Sequence, residues 1–154
     1  MFNLFRKKQI PSTNHQYKNL LISLPSNWKY ELEEGGQEAC FDPESQSTLR
    51  FNVIKAVPPE GITAEENIKS LTAEQSYIIT SKGYILTSPG YKESVEGDHH
   101  ITLITWKLIN NAGDEKIIAV VTYTVLSKEK DSPQEKEISN LIENSLQNAD
   151  LLNN

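Results

Sequence analysis

Residues 20–30 read LLISLPSNWKY, a short apolar run that ends at a proline and is followed by a tryptophan. Pro25 has no backbone N–H and cannot continue a central ladder, so the run predicts a strand that ends there. After the turn, Trp28, Tyr30 and Leu32 alternate with charged residues, which is the period of a half-buried strand. The stretch therefore predicts two strands joined by a turn, with Trp28 in the core rather than on a recognition surface, and the same is expected of Trp106 in LITWKL.

The alternation typical of strands continues along the rest of the chain, and two segments with helical spacing interrupt it. Thr63 and Glu66 have the spacing of a capping box, so a helix is predicted from 64 to 81. Ser132 marks the start of a second helix that continues through residues 137–147. The apolar stripe of the second helix must lie on the sheet, and its members are Ile138, Leu141, Ile142 and Leu146.

The order of these elements predicts an α+β domain. Its sheet is expected to be mostly antiparallel, with about six to seven strands flanked by two main helices, because parallel strands need helical crossovers and only one internal helix is present. Gly113 is expected to supply the positive φ of a hairpin turn in NNAGD. Residues 1–16 are predicted to be a basic and apolar tail with a polar lead-in, and 17–150 a single domain.

Several segments in this order resemble the PsbP-like superfamily: ISLPSNWKYE, CFDPES, TLRFNVIK, YKESVEGDHHITLITWKL, AVVTYTVL and ISNLIENSL. That superfamily includes photosystem II extrinsic proteins, a Ran-binding nuclear import factor and bacterial domains of unknown function. The resemblance covers residues 17–148 and implies α/β/α layers and, without the long insertions of the photosystem members, a bacterial source. Its members share no catalytic set, so the resemblance implies a fold and no reaction.

Charge limits the classes of partner. The chain has 15 basic and 21 acidic residues, a net charge of −6. Arg6, Lys7 and Lys8 lie in the N-terminal segment, so the remaining 12 basic residues leave the rest of the chain at −9. Nucleic-acid binding depends on basic residues that neutralise phosphates, so no nucleic acid is expected as a partner. A basic protein is favoured instead.

The N-terminal segment MFNLFRKKQ does not have the order of a secretory signal, because its apolar residues precede the charges. No apolar run approaches the roughly 20 residues that a membrane span needs. We therefore expect a cytoplasmic protein without stable membrane insertion. A further hypothesis is that Phe2, Leu4 and Phe5, with the basic triplet, touch a membrane surface.

The residues of reactive type do not form a catalytic set. The single cysteine, Cys40, excludes an internal disulfide and a cysteine-rich zinc site, and we expect it to be a buried packing thiol. The sequence has no nucleophile elbow and no glycine-rich phosphate loop. Acidic pairs such as Glu33 with Glu34 are interpreted as solvated surface. No enzyme and no cofactor are expected.

Asp98, His99 and His100 form the only metal-like cluster in the sequence. Neighbours at a strand start point to opposite faces, so the two imidazoles are not expected to hold one ion. The remaining histidine, His15, lies in the lead-in. We predict no metal site, and a small-ligand or metal-binding protein that uses this turn is the alternative function.

A polar sheet face is the strongest candidate for a binding surface. The candidate residues alternate with apolar ones on three predicted strands, and they are Arg50, Asn52, Thr105, Lys107, Thr122 and Thr124. If the three strands are neighbours, these residues form one threonine-rich face, although the solvated side of an antiparallel sheet has the same pattern. The sequence thus predicts a non-enzymatic bacterial protein-binding module, with an immunity protein or a secretion-effector chaperone or adaptor as analogies.

Overall fold

The computed structural model describes residues 10–153 and confirms an α+β fold with antiparallel sheets and two α-helices. The helices are α1 (Ala64–Thr72) and α2 (Pro133–Gln147). The strands are β1 (Ser12–Tyr17), β2 (Leu20–Pro25), β3 (Lys29–Leu32), β4 (Glu38–Phe41), β5 (Thr48–Ala56), β6 (Tyr77–Ile79), β7 (Ile85–Thr87), β8 (Gly90–Glu96), β9 (His99–Asn110), β10 (Lys116–Leu126) and β11 (Asp150–Leu151).

Eight strands form the large sheet. Its order is β3-β4-β5-β10-β9-β7-β6, and β8 pairs with β9 beside β7. The centre is the hairpin of β9 and β10, whose turn contains Gly113 at φ +77°, as predicted. A 3-10 turn, Ser127–Glu129, leads from β10 to α2.

A second, three-stranded sheet has the order β1-β2-β11. β1 begins within residues 1–16, which the sequence assigns to the tail and lead-in, and it pairs with the whole of β2. β11 pairs with the start of β2, and Leu152 donates its N–H to the Asn19 carbonyl at 2.7 Å. Among residues 10–153, no helix is long and apolar enough to cross a membrane. The proposed membrane contact of Phe2, Leu4 and Phe5 lies outside the described residues.

The main core lies between the large sheet, α2 and the small sheet. Both tryptophans belong to it, since Trp28 is 6% and Trp106 1% exposed, which confirms that they are core residues. Trp106 also donates its Nε1–H to Glu143 on α2 at 3.3 Å. The predicted stripe of α2 supplies Ile138, Ile142 and Leu146 to this core, with Leu141 packed at its edge.

A smaller core lies on the opposite face, under α1. Cross-strand pairing aligns five isoleucines across five strands of the large sheet: Ile54, Ile118, Ile109, Ile85 and Ile79. The three central members are buried, and Ile68 and Leu71 of α1 pack against them. α1 and α2 therefore cover opposite faces of the large sheet.

The prediction of one helix from 64 to 81 is wrong. Thr63 caps α1 as expected, but α1 ends at Thr72 because Ala73 and Glu74 take left-handed φ values of +53° and +61°. The Glu74 N–H donates to the Lys69 carbonyl at 3.0 Å, which closes the helix end. Ile78 and Ile79, which the predicted helix included, belong instead to β6, in agreement with their β-branched side chains.

The start of α2 has a tertiary contact that the capping-box pattern does not predict. Ser132 accepts the Glu135 N–H at 3.2 Å, as a cap does. The Glu135 carboxylate is buried and accepts hydrogen bonds from Ser45 Oγ at 3.2 Å and Ser47 Oγ at 2.8 Å. Glu135 therefore joins α2 to the loop between β4 and β5, and its charge also raises the pKa of Tyr123, second to burial among the causes that raise it.

Candidate functional site

The residues predicted to bind a partner lie on one face of the large sheet, the face that α1 partly covers. They are Arg50, Asn52, Thr105, Lys107, Thr122 and Thr124, and we call them the polar face. Arg50, Thr122 and Thr105 are direct cross-strand neighbours on β5, β10 and β9. Residues directly opposite each other on neighbouring strands share a face. The structure therefore places these three predicted residues side by side in one row.

An ion pair fixes the arginine of the polar face. Arg50 donates from Nε and Nη2 to the two carboxylate oxygens of Glu33, at 2.9 and 3.2 Å, and from Nη1 to Thr124 Oγ1 at 3.4 Å. Both charged side chains are one-third exposed. The sequence interpretation of Glu33 as solvated surface missed this contact, because only the pairing of β3, β4 and β5 brings Glu33 beside Arg50.

The other side chains of the polar face are also held in place. The hydroxyls of Thr105 and Thr122 are 3.3 Å apart and share a hydrogen bond. Lys107 donates to the Leu71 carbonyl at the end of α1 at 3.2 Å. Among these six residues only Asn52 is exposed, and the other five are half-buried. The face is thus an ordered, half-buried surface of hydroxyls, one paired guanidinium and one ammonium, which suits hydrogen bonding to another molecule.

The metal-like cluster lies at the tip of the β8–β9 hairpin. Asp98, His99 and His100 are all exposed. His99 pairs with Glu96 and His100 with Val95, so the two imidazoles lie on opposite faces of the hairpin, as expected. Within residues 10–153, no three histidine, cysteine, aspartate or glutamate side chains are grouped so that they could hold a metal ion.

His15 belongs to an aromatic cluster that the sequence did not reveal. Its ring stacks on Tyr30 at 3.8 Å between centroids, and its Nε2 contacts the Glu38 carboxylate. Burial, followed by the electrostatic influence of Cys40 and Glu38, raises the pKa of Tyr30 to about 12, so the phenol stays neutral. The cluster joins β1 to β3 and β4, which explains why the mostly polar residues of β1 form a strand.

Cys40 is fully buried, as expected, and its thiol should be unreactive in the folded protein. Burial, and secondarily the charge of Glu38, raise its pKa well above the usual range. The thiolate is the nucleophile, so labelling by a disulfide reagent at pH 8 should be slow until denaturant is added. A Ser94→Cys variant, whose added thiol is exposed, should label one equivalent at once. Rapid labelling of the wild-type protein would contradict this.

Comparisons with known proteins identify a fold. No protein-family model and no curated protein match the sequence. A crystal structure of a Bacteroides thetaiotaomicron protein matches 84% of this chain with a TM-score of 0.55 and 16% identity, and the chain spans about half, 46%, of that protein. LpqN of Mycobacterium tuberculosis, described as involved in cell envelope biogenesis, matches over 99% of this chain and 97% of its own, with a TM-score of 0.56 and 11% identity. At such identities the likeness shows a shared fold alone.

Proposed function

We propose that this chain is a non-enzymatic, bacterial protein-binding module of the PsbP-like type, and that its polar face contacts the partner. The observation that carries the proposal is the Arg50–Glu33 pair beside the Thr105–Thr122 pair on three central strands. Side chains held on rigid strands lose little entropy when a partner binds. Arginine is also enriched in protein interfaces, where its fork can bind carboxylates and carbonyl groups.

The surroundings of the polar face support a protein rather than a small ligand. Ile68 and Leu71 of α1 pack on the isoleucine row of this sheet face, and Ile54, the member of that row on β5, is 46% exposed. A half-buried polar centre beside exposed apolar side chains is a mixture found in transient protein interfaces. The net charge of −6 favours a basic partner and a complex that weakens as salt rises.

Two cellular settings are proposed for this module, the cytoplasm and the cell envelope. One setting is the cytoplasm, where an immunity protein or an effector chaperone would act. The likeness to LpqN supports the alternative of a role at the cell envelope. Fractionation of the native cells distinguishes these two settings, and the identity of the bound protein distinguishes a neutralised toxin from a carried effector.

The test is capture of partners from native cells with variants of the polar face. Thr122→Lys places a second charge beside Arg50 in the middle of the face, and we expect at least tenfold less of one stoichiometric partner to be retained. Thr13→Lys, at an exposed threonine on β1, is the matched control and should retain the partner. Circular dichroism and thermal unfolding should show that both variants fold.

Three outcomes decide between the parts of the proposal. Loss of the partner in Thr122→Lys and at high salt, with retention in Thr13→Lys, supports a charge-steered complex at the polar face. Equal retention of the partner by wild type and Thr122→Lys would show that the polar face does not contact the partner. A complex that does not respond to salt would contradict the charge argument alone.

A further inference from the structure

A groove lies beside the first half of α2, close to the point where the described part of the chain begins. Its volume is about 640 Å³, and its apolar wall is formed by Pro25, Trp28, Ile138 and Leu141. Trp28 and Ile138 are buried core residues, whereas Pro25 and Leu141 are half-buried. The groove can therefore accept apolar as well as polar side chains from another segment.

The rim of the groove is negatively charged. Asp42 and Glu44 belong to the loop between β4 and β5, and Glu137 belongs to α2. Glu44 and Glu137 are exposed, and Asp42 is half-buried. No lysine, arginine or histidine is found among the described residues that line the groove. Three carboxylates on one rim make the local potential negative, which favours a cationic occupant.

Ile10 connects this groove to the N-terminal segment. It lines the groove and is 48% exposed. The Pro11 carbonyl, one residue later, accepts the Ser26 N–H at 2.8 Å, so the backbone after Ile10 is fixed at the turn between β2 and β3. Residues 1–9, which precede the described part of the chain, are therefore joined to the protein at the groove itself.

We propose that residues 1–9 dock in this groove, with the basic triplet Arg6, Lys7 and Lys8 against its acidic rim. The triplet lies two to four positions before Ile10. At about 3.4 Å of chain per residue, its members can reach up to about 14 Å from Ile10. That reach is sufficient for a groove of about 640 Å³ that Ile10 itself lines.

Covalent linkage and charge together select this segment as the occupant. A tethered ligand has an effective concentration of about the millimolar range, so weak contacts suffice to hold it. The basic triplet is the only run of three basic residues in the sequence, and its charge of +3 matches the three carboxylates of the rim. Leu4 and Phe5, directly before the triplet, supply apolar side chains for the wall of the groove.

Trypsin tests the docking because it cleaves after the residues of the basic triplet. The rate, followed by mass spectrometry of the full chain at low salt, reports the undocked fraction of the segment. Asp42→Asn with Glu44→Gln removes two rim charges and should raise this rate about fivefold, as expected for the loss of two exposed ion pairs. Asparagine keeps the oxygen that accepts the Glu44 N–H at 3.0 Å, so the loop is preserved.

The matched control is Glu31→Gln with Glu34→Gln. These two residues are exposed and do not line the groove, and the control loses the same net charge as the rim variant. It should be cleaved at the wild-type rate. High salt should accelerate cleavage of the wild-type protein more than that of the rim variant, because it screens the contacts that the rim variant lacks.

A charge swap tests the contact between the basic triplet and the rim. A spin label on Asn3→Cys should broaden the amide NMR signals of the groove in the docked protein, and the native cysteine is buried and stays unlabelled. Lys7→Glu or Glu44→Lys alone should reduce the broadening, and the two substitutions together should restore it. Failure of the combined variant to restore the broadening would contradict the proposed contact.

Three further results would overturn the docking. The first is an equal cleavage rate in wild type and in the rim variant, and the second is an equal acceleration in the rim variant and its control. The third is rapid cleavage of the wild-type segment that only vesicles of phosphatidylserine and phosphatidylcholine prevent, which would assign the segment to a membrane surface.

The docking and the polar face are tested independently. The groove is lined by α2, whereas the polar face lies on the side of the large sheet that α1 partly covers. A docked segment therefore leaves the polar face open. Thr122→Lys should keep the wild-type rate of cleavage after the basic triplet even where it loses the partner.

Discussion

Glu135→Ala is expected to lower the free energy of unfolding by about 3 kcal/mol, as measured by urea denaturation, because it leaves buried hydroxyls without an acceptor. Ser45 and Ser47 both donate to this carboxylate, and Tyr123 lies beside it in the core. Alanine removes both of the carboxylate oxygens that accept these hydrogen bonds. The expected loss of stability therefore comes from unsatisfied polar groups and not from a lost helix cap.

Glu66→Ala is the matched control for this prediction. Glu66 occupies the same third position of its helix as Glu135, with an N–H that donates to a capping hydroxyl, but its side chain is exposed. We expect it to change the free energy of unfolding by no more than about 0.5 kcal/mol. Glu135→Gln, which keeps one acceptor oxygen, should fall between the two. Equal effects of Glu135→Ala and Glu66→Ala would show that the buried contacts contribute nothing.

Trp106→Ala is expected to cost about 4 kcal/mol, the largest effect of any single substitution considered. Trp106 is among the largest fully buried side chains and lies on β9 in the centre of the large sheet. Alanine would leave a cavity that strands held by neighbours on both sides cannot close. The substitution would also remove the donor to Glu143 on α2. Denaturation in urea measures the loss directly.

Trp106→Phe separates the contribution of the buried volume from that of the hydrogen bond to Glu143. Phenylalanine fills most of the volume but cannot donate to Glu143, so we expect a loss of about 1–2 kcal/mol. If both variants lost the same stability, the hydrogen bond rather than the cavity would dominate. If neither lost stability while binding of a partner failed, Trp106 would be a recognition residue, contrary to its burial.

Period-two patterns predicted the parts of the fold that depend on local sequence. The alternation around Trp28 and Trp106 placed both side chains in the core, and both are buried. The same alternation grouped the six residues of the polar face, because β5, β10 and β9 proved to be neighbours. Successive residues of a strand point to opposite faces of the sheet, so alternation predicts the face of each side chain. The predicted polar face then depended only on which strands are neighbours.

The features that sequence reasoning missed depend on contacts between distant residues. Glu33 meets Arg50 only because β3, β4 and β5 are adjacent, and His15 meets Tyr30 only because β1 packs on β3. The end of α1 was missed for another reason. Ala73 takes a left-handed φ that usually marks glycine or asparagine, so no residue signalled the stop.

β11 has a consequence for how the protein folds while it is being synthesised. β2 gains its second neighbour only from Asp150 and Leu151, and Asn19 then bonds Leu152 from both its backbone and its side chain. A nascent chain that has emerged only as far as α2 can form the central hairpin, but its first apolar strand still has an open edge. Completion of the small sheet must therefore follow translation of residue 152, and until then a chaperone or a neighbouring nascent chain can occupy that edge.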